Sequence, residues 1–463
     1  MKTQDLFVGL DVQTPTLDSG KLRYINFDNA ASTPPLQAAL DAVNDFSAYY
    51  SSVHRGTGFK SQLSTHAYEQ ARQITLRFVG GNPRVHTCIF SKNATESLNK
   101  LARRFPFGKE RDILLTSAME HHSNDLPWRA NSRAEVMHVE ILPDGRLNLA
   151  DYASKLEEFG ERVALVSVSG ASNVTGYINP IHDMAEQAHA AGAQFAVDAA
   201  QLAPHRAINM LPLADPRHLD YVVISAHKMY APFGSGALIG RRDTFSQGAP
   251  DLVGGGTVSI VTLEDVTWAD APERDEAGSP NVVGAVALAA AIKTLEEIGM
   301  DAVAAHEAEL TTRALERLSG VDGLEIYGDT DPQNAENRLG VIPLNLKKSH
   351  YLVAAILGHE FGIGVRNGCF CAHPYLLNLM QVPKAAAATV RQSILGGDRS
   401  GIPGLVRLSF GLYNTLAEVD AVVDALTKIA NDEYEGEYVQ DISTGEFTPQ
   451  GWEPAFGEYF GGD

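Results

Sequence analysis

The stretch LDYVVISAHKMYAPFGSGALIG, residues Leu219 to Gly240, opens as a buried strand, because Tyr221-Val222-Val223-Ile224 are four apolar residues in a row. The run then breaks into Ser225-Ala226-His227-Lys228. In open α/β sheets ligands sit outside the carboxyl ends of the strands, which is where this register places Lys228. Gly234, Gly236 and Gly240 let backbone approach without side-chain bulk. A lysine held there and partly desolvated has a lowered pKa, and its neutral amine can form a Schiff base with a carbonyl. Taken alone, Lys228 reads as a solvated loop lysine. The residues upstream change that reading.

Asp198 ends a second apolar run, Gln194-Phe195-Ala196-Val197-Asp198, followed by Ala199-Ala200-Gln201. Alone it reads as a turn or N-cap residue. A Schiff-base lysine plus an acid from a neighbouring strand is what pyridoxal 5'-phosphate (PLP) needs: the lysine holds the aldehyde and the acid keeps the pyridine nitrogen protonated.

On VDAAQLAPH followed by SAHKMYAPFGSGALIG, the chain resembles the class V PLP-dependent enzymes, and within them the cysteine desulfurase and selenocysteine lyase branch of SufS-like type. The resemblance runs from about Tyr24 to Leu426 in the family's order. It implies an α/β chain of PLP-dependent transferase fold type I, with a large doubly wound, mostly parallel sheet domain and a smaller α+β C-terminal domain. The expected division is an extension over 1–20, a PLP-binding domain over 21–298 with its first segment partly in the small domain, a small domain over 299–430, and an acidic tail over 431–463. The alternation of strand and helix patterns along the chain implies the same kind of sheet.

The chain has 463 residues, suited to one large domain plus a smaller one, and a net charge of −20. That balance argues against a nucleic-acid footprint. No run of about 18 apolar residues suggests a membrane span, and the first 20 residues lack the pattern of a secretory signal. Three cysteines, Cys88, Cys369 and Cys371, fit a reducing cytoplasm better than a disulfide scaffold. Cys88 sits in an apolar run and reads as core.

In chain order, Leu36 to Tyr50 and Ser64 to Val79 read as helices around the loop SSVHRGTG. The resemblance puts His54 of that loop at the active-site mouth; by itself it is a surface histidine. Strand Thr87–Phe90, then SKNATESLN, is a strand–turn–helix that offers backbone N–H groups to a phosphate, although ordinary capping by Thr95 explains the residue types too. The resemblance places the PLP phosphate here, with Ala94 where a threonine is usual, and adds Ser225 and His227 as phosphate contacts. In Met119-Glu120-His121-His122-Ser123-Asn124, His121 matches the histidine that stacks on the cofactor ring, and an imidazole brings a nitrogen that titrates near neutrality. No cysteine or carboxylate cluster accompanies the two histidines, so no metal is expected. Asn173, a turn residue in its own right, matches the asparagine bonded to the cofactor's phenolic oxygen, and Gln201 a further cofactor contact. Ser279, in the loop EAGSPN, matches a residue that touches the partner's phosphate, which implies a homodimer.

FGIGVRNGCFCAHPY, Phe361 to Tyr375, carries the remaining matches. Arg366 and, further on, Arg407 match contacts to the substrate carboxylate, for which a guanidinium is suited. Cys371 matches the nucleophilic cysteine, which acts as a thiolate. Cys369 stands where a histidine is usual, and GCFC is also similar to the desulfurase-like domain of molybdenum cofactor sulfurases. An insertion-like stretch, Gln381 to Gly404, follows, and the acidic tail reads as solvated. The implied activity takes L-cysteine to L-alanine with a persulfide on Cys371, passed to a sulfur-acceptor protein. Other class V chemistries, a C–S β-lyase, aminotransferase or epimerase, and a sulfur-relay protein without turnover are the alternatives.

Overall fold

A computed structural model describes residues 3–18 and 20–459. Seven strands form the main sheet: β1 (His86–Ser91), β2 (Ile113–Ser117), β3 (Glu135–Val139), β4 (Val163–Ser169), β5 (Gln194–Asp198), β6 (Tyr221–Ser225) and β7 (Gly236–Arg241). Their spatial order is β1-β7-β6-β5-β4-β2-β3. From β6 to β3 all neighbours are parallel, while β7 runs antiparallel to both β6 and β1. The central strands are apolar almost without interruption because helices cover both faces; all seven residues of β4 are buried. This is the α/β architecture expected from the strand-and-helix alternation.

Register fixes where chemistry can occur. Ser169 pairs with Asp198, and Asp198 with Val223, so β4, β5 and β6 end on one edge of the sheet. Gly236 of β7 lies opposite both Ser225 and Ser91. A Cβ on Gly236 would come within 2.7 Å of the Asn93 Cα, so only glycine lets the turn after β1 close against β7.

A second sheet of four short strands, Glu325–Ile326, Val341–Asn345, Leu405–Ser409 and Arg366–Gly368 in spatial order, has its own core around Ile342, Leu344, Val406 and Leu408. The chain near the amino end joins it: Ile25–Asn26 pair with Ile363–Gly364, and Phe27 packs edge-on to Phe410. The helices Gln37–Ser47 and Phe59–Phe78 stand close to their expected places, and the chain adds the helices Val282–Ile298, Met300–Leu318 and His350–Phe361.

One stretch differs from the sequence reading. Within the acidic C-terminal segment, Tyr438–Gln440 and Phe447–Pro449 form a hairpin instead of a solvated tail. Glu360 accepts hydrogen bonds from the Glu435 and Gly436 amides and the Tyr438 hydroxyl, and Trp452 meets the His359 ring edge-on at 4.7 Å. Charge dominated the reading, and the aromatic contacts that oppose it come from a distant helix. Residues 460–463 lie outside the described residues. The insertion-like stretch contains the helix Lys384–Leu395, none of whose residues is buried, and is tied to the hairpin through the Arg399 amide and the Ile442 carbonyl.

Candidate active site

At the shared strand edge a cavity of about 210 Å³ is lined by Asn93, Ala94, Thr95, His121, Asn173, Asp198, Gln201, Ser225, His227, Lys228, Arg366, Cys371 and Arg407, among others. Twelve of the fourteen singled-out positions therefore meet in one place. His54 and Ser279 do not. His54 is exposed, with its amide on Thr65 Oγ1 and its ring edge-on to Tyr68. Ser279 is exposed and borders a separate cavity with Glu276 and Lys100.

Lys228 is set by the tight turn that follows β6. Burial lowers its pKa to about 8, against the pull of Asp198, Cys371 and Asp28, while Arg407 pushes it further down. Asp198 is buried and accepts the Ala200 amide at 3.0 Å. Burial raises its pKa, and the Ala200 amide and Lys228 oppose that rise. Gln201 donates to the Ala30 carbonyl at 2.7 Å.

At the other end of the cavity, the helix Ala94–Arg104 begins at Asn93, whose side chain caps the Glu96 amide. Thr95 Oγ1 shares a hydrogen bond with Ser123 Oγ at 2.7 Å, and His227 Nδ1 stands 3.3 Å from Ser32 Oγ. Among the described residues Ser225 Oγ is buried with no partner. An unpartnered hydroxyl beside a helix N-terminus suits a phosphate. With Lys228 and the Asp198 carboxylate lining the same cavity, the residues present fit PLP.

His121 Nδ1 accepts the Ser123 amide at 3.1 Å, which leaves the ring proton on Nε2. Burial, with Lys228, His122 and Arg407 adding to it, lowers its pKa to about 3. The ring is thus a neutral imidazole, not a group titrating near neutrality; the sequence could not show the two cations beside it. Below it, Glu120 is fully enclosed and accepts from Ser117, from Ser169 at 2.6 Å and from Asn124 at 2.7 Å. Burial lifts its pKa to about 7 even against these donors.

The cysteine loop is ordered by three hydrogen bonds: Asn173 Nδ2 to the Phe370 carbonyl at 2.7 Å, the His122 amide to the Cys371 carbonyl at 2.7 Å, and the Ala372 amide to the Cys369 carbonyl at 3.0 Å. Phe370 and Cys371 both have positive φ, 53° and 55°, a conformation that costs about 1–3 kcal/mol per non-glycine residue. The loop holds it, and the Cys371 thiol stays exposed. Cys369 is half-buried against the main core, and burial raises its thiol pKa. Burial pushes Cys88 up to about 12.

Arg366 and Arg407 are cross-strand partners in the second sheet. Arg407 is buried, donates to the Asn173 carbonyl at 2.9 Å and to Asp28 at 3.0 Å, and lies over the Phe370 ring. Asp28, whose pKa burial raises against the two arginines, went unnoticed in the sequence, as did Glu120. Glu120 lies beside His121 in the stretch Met119 to Asn124, which was an available signal.

The sequence model of the aminotransferase class-V family matches residues 25–422. The chain belongs to the aminotransferase class-V family. Class V enzymes of this kind are PLP-dependent, and this chain is one of them. A cysteine desulfurase of Haloferax volcanii is 33% identical over 90% of this chain and 92% of its own. A probable cysteine desulfurase of Streptomyces coelicolor is 36% identical over 89% and 93%. Among solved structures, the apo cysteine desulfurase of Thermococcus onnurineus NA1 superposes with TM-score 0.76 at 32% identity, covering 88% of this chain and 95% of that one. The cysteine desulfurase CsdA of Escherichia coli, in S-sulfonic acid form, gives TM-score 0.74 at 26% identity over 93% and 98%. Among the described residues no helix is long and apolar enough to cross a membrane.

Proposed function

We propose that the protein is a cysteine desulfurase that converts L-cysteine to L-alanine and leaves the sulfur as a persulfide on Cys371. The observation that carries this reading is an exposed thiol on an ordered loop at the rim of the cavity that holds Lys228, Asp198 and His121. Bound PLP supplies an aldehyde for an amine and a ring that accepts the electron pair freed at Cα.

Asp198 would hold the protonated pyridine nitrogen, and His121 would stack on the ring. Asn173 and Gln201 would fix the ring's edge, while Ala94 and Thr95 amides, Ser225 and His227 would take the phosphate. Arg407 and Arg366 would clamp the substrate carboxylate. Lys228 Nζ, made a competent base by its lowered pKa, would take the Cα proton. The Cys371 thiolate would then attack the substrate sulfur. The S–S bond forms as the Cβ–S bond breaks and its electron pair passes to Cβ; Cβ gains a proton, and Lys228 Nζ returns the proton it took to Cα, which gives alanine and the Cys371 persulfide.

The site would be completed in a homodimer, with Ser279 and His54, both outside this chain's own cavity, at the partner's site. Sedimentation should then give twice the 49.9 kDa chain mass. Three unbridged cysteines suit a reducing cytoplasm, where an acceptor protein would take the sulfur.

The test is Cys371→Ala, assayed for alanine, pyruvate, sulfide and protein persulfide. We expect unchanged cofactor absorbance with persulfide formation abolished. Full sulfide release by the variant would overturn the nucleophile, and pyruvate as the wild-type product would overturn the reaction.

A further inference from the structure

Cys369 and Cys371 share one turn. The Ala372 amide closes it on the Cys369 carbonyl at 3.0 Å, and the two residues between, Phe370 and Cys371, both have positive φ. A four-residue turn of that kind is the I′ form. With roughly 3.8 Å between consecutive Cα atoms and a bend near a right angle, its first and third Cα atoms stand about 5.5 Å apart, within the roughly 4.4–6.8 Å that disulfide-bonded cysteines span.

The turn is clamped. Asn173 Nδ2 donates to the Phe370 carbonyl, the His122 amide donates to the Cys371 carbonyl, and the Arg407 guanidinium lies 4.8 Å from the Phe370 ring centre. Cys369 packs half-buried against the main core, and the Cys371 and Ala372 amides direct hydrogen bonds at its sulfur. Its Sγ therefore lies against the backbone of the residue that carries the exposed thiol. Burial raises the Cys369 pKa, the two amides oppose the rise, and negative charge on Cys371 adds to it, so Cys369 keeps its proton at neutral pH. Cys88 lies inside β1 with 1% exposure, so no third thiol competes.

We propose that Cys369 is a resolving thiol, which turns the Cys371 persulfide into free hydrosulfide and a Cys369–Cys371 disulfide. The step rests on the desulfurase reading above, because that reaction is what loads sulfur onto Cys371. The outer sulfur of a persulfide extends beyond the exposed Cys371 Sγ, which leaves the inner sulfur nearer to half-buried Cys369. Cys369 gives its proton to the outer sulfur, and its thiolate attacks Cys371 Sγ. The bond between the two Sγ atoms forms, the bond to the outer sulfur breaks, and that bond's electron pair leaves on the outer sulfur as hydrosulfide. The outer sulfur is reduced and Cys369 is oxidised, so the step needs no further oxidant. A dithiol reductant then returns both cysteines to thiols and becomes a disulfide itself. The chain would thus release sulfide without an acceptor protein, one for each dithiol consumed.

The test gives reduced holoenzyme, freed of external thiol, one equivalent of L-cysteine and then traps thiols with an alkylating reagent. Trypsin cuts after Arg366 and Lys384, so one peptide carries both cysteines. We expect one alanine and one hydrosulfide per chain, with that peptide unalkylated and two hydrogens lighter than its reduced form. In Cys369→Ser the peptide should instead carry one extra sulfur beneath its alkyl group, and hydrosulfide release should be lost. Alanine with a lasting persulfide and no hydrosulfide in the unmutated protein would overturn the resolving step and leave the desulfurase reading standing. No alanine at all would overturn that reading and the resolving step with it. A further measurement needs neither turnover nor a variant. One equivalent of diamide should convert the same peptide to the lighter form, and its failure to do so would overturn the thiol pair.

Discussion

Lys228 has its amine lowered to about 8 from an ordinary value of 10.5, chiefly by burial. Its folded value lies below the unfolded one, so between about pH 8 and 10.5 the folded chain has shed a proton the unfolded chain keeps. The amine is charged below pH 8 and neutral above it. For the apoprotein, the rate of borohydride-trappable PLP uptake should rise with pH to a plateau and show a midpoint near 8; a midpoint near 10.5 would place the lysine in solvent. His121 is the counterpart: held at about 3, it stays neutral throughout this range and adds no second titration. Both residue types were legible in the sequence. Their electrostatics were not, because Arg407 and Asp28 reach them only through the fold.

At the scale of elements, the two arginines of the second sheet face each other across a strand pair but differ in burial. Arg366 is 55% exposed and stands 3.8 Å from Asp28, a pairing worth at most about 1 kcal/mol. Arg366→Ala should therefore leave Tm nearly unchanged and raise KM for L-cysteine about tenfold. Arg407 is 3% exposed and holds Asp28 at 3.0 Å. Arg407→Ala should destabilise the protein by about 2–3 kcal/mol, because it removes the closer partner of a half-buried carboxylate and empties a buried site. Thermal melts of both variants against steady-state kinetics separate the two outcomes. The register that sets Arg366 opposite Arg407 is not legible in the sequence, because period-2 patterning does not choose a partner strand.

For the whole molecule, the C-terminal hairpin closes on the helix His350–Phe361 and on the insertion beside the cysteine loop. Deleting residues 434–463 removes three donors from Glu360 and the Trp452 contact with His359. We expect Tm to fall by about 2–4 °C, as differential scanning calorimetry would read; an unchanged Tm would return the segment to a solvated tail.

The sequence by itself determined the sheet and its lysine, because buried parallel strands are written as apolar runs and the residues that end them, Asp198 and Ser225–Lys228, fall at the ligand edge whatever the rest of the chain does. Only tertiary structure decided which distant residues meet there. Asp28 and Arg407 are far apart in the chain yet form one ion pair. Glu120 is a carboxyl enclosed by donors from three segments. Cys371 is held out in a left-handed turn by Asn173 and His122. Such contacts depend on burial and register, which arise when the two sheets pack and have no local signature in the chain.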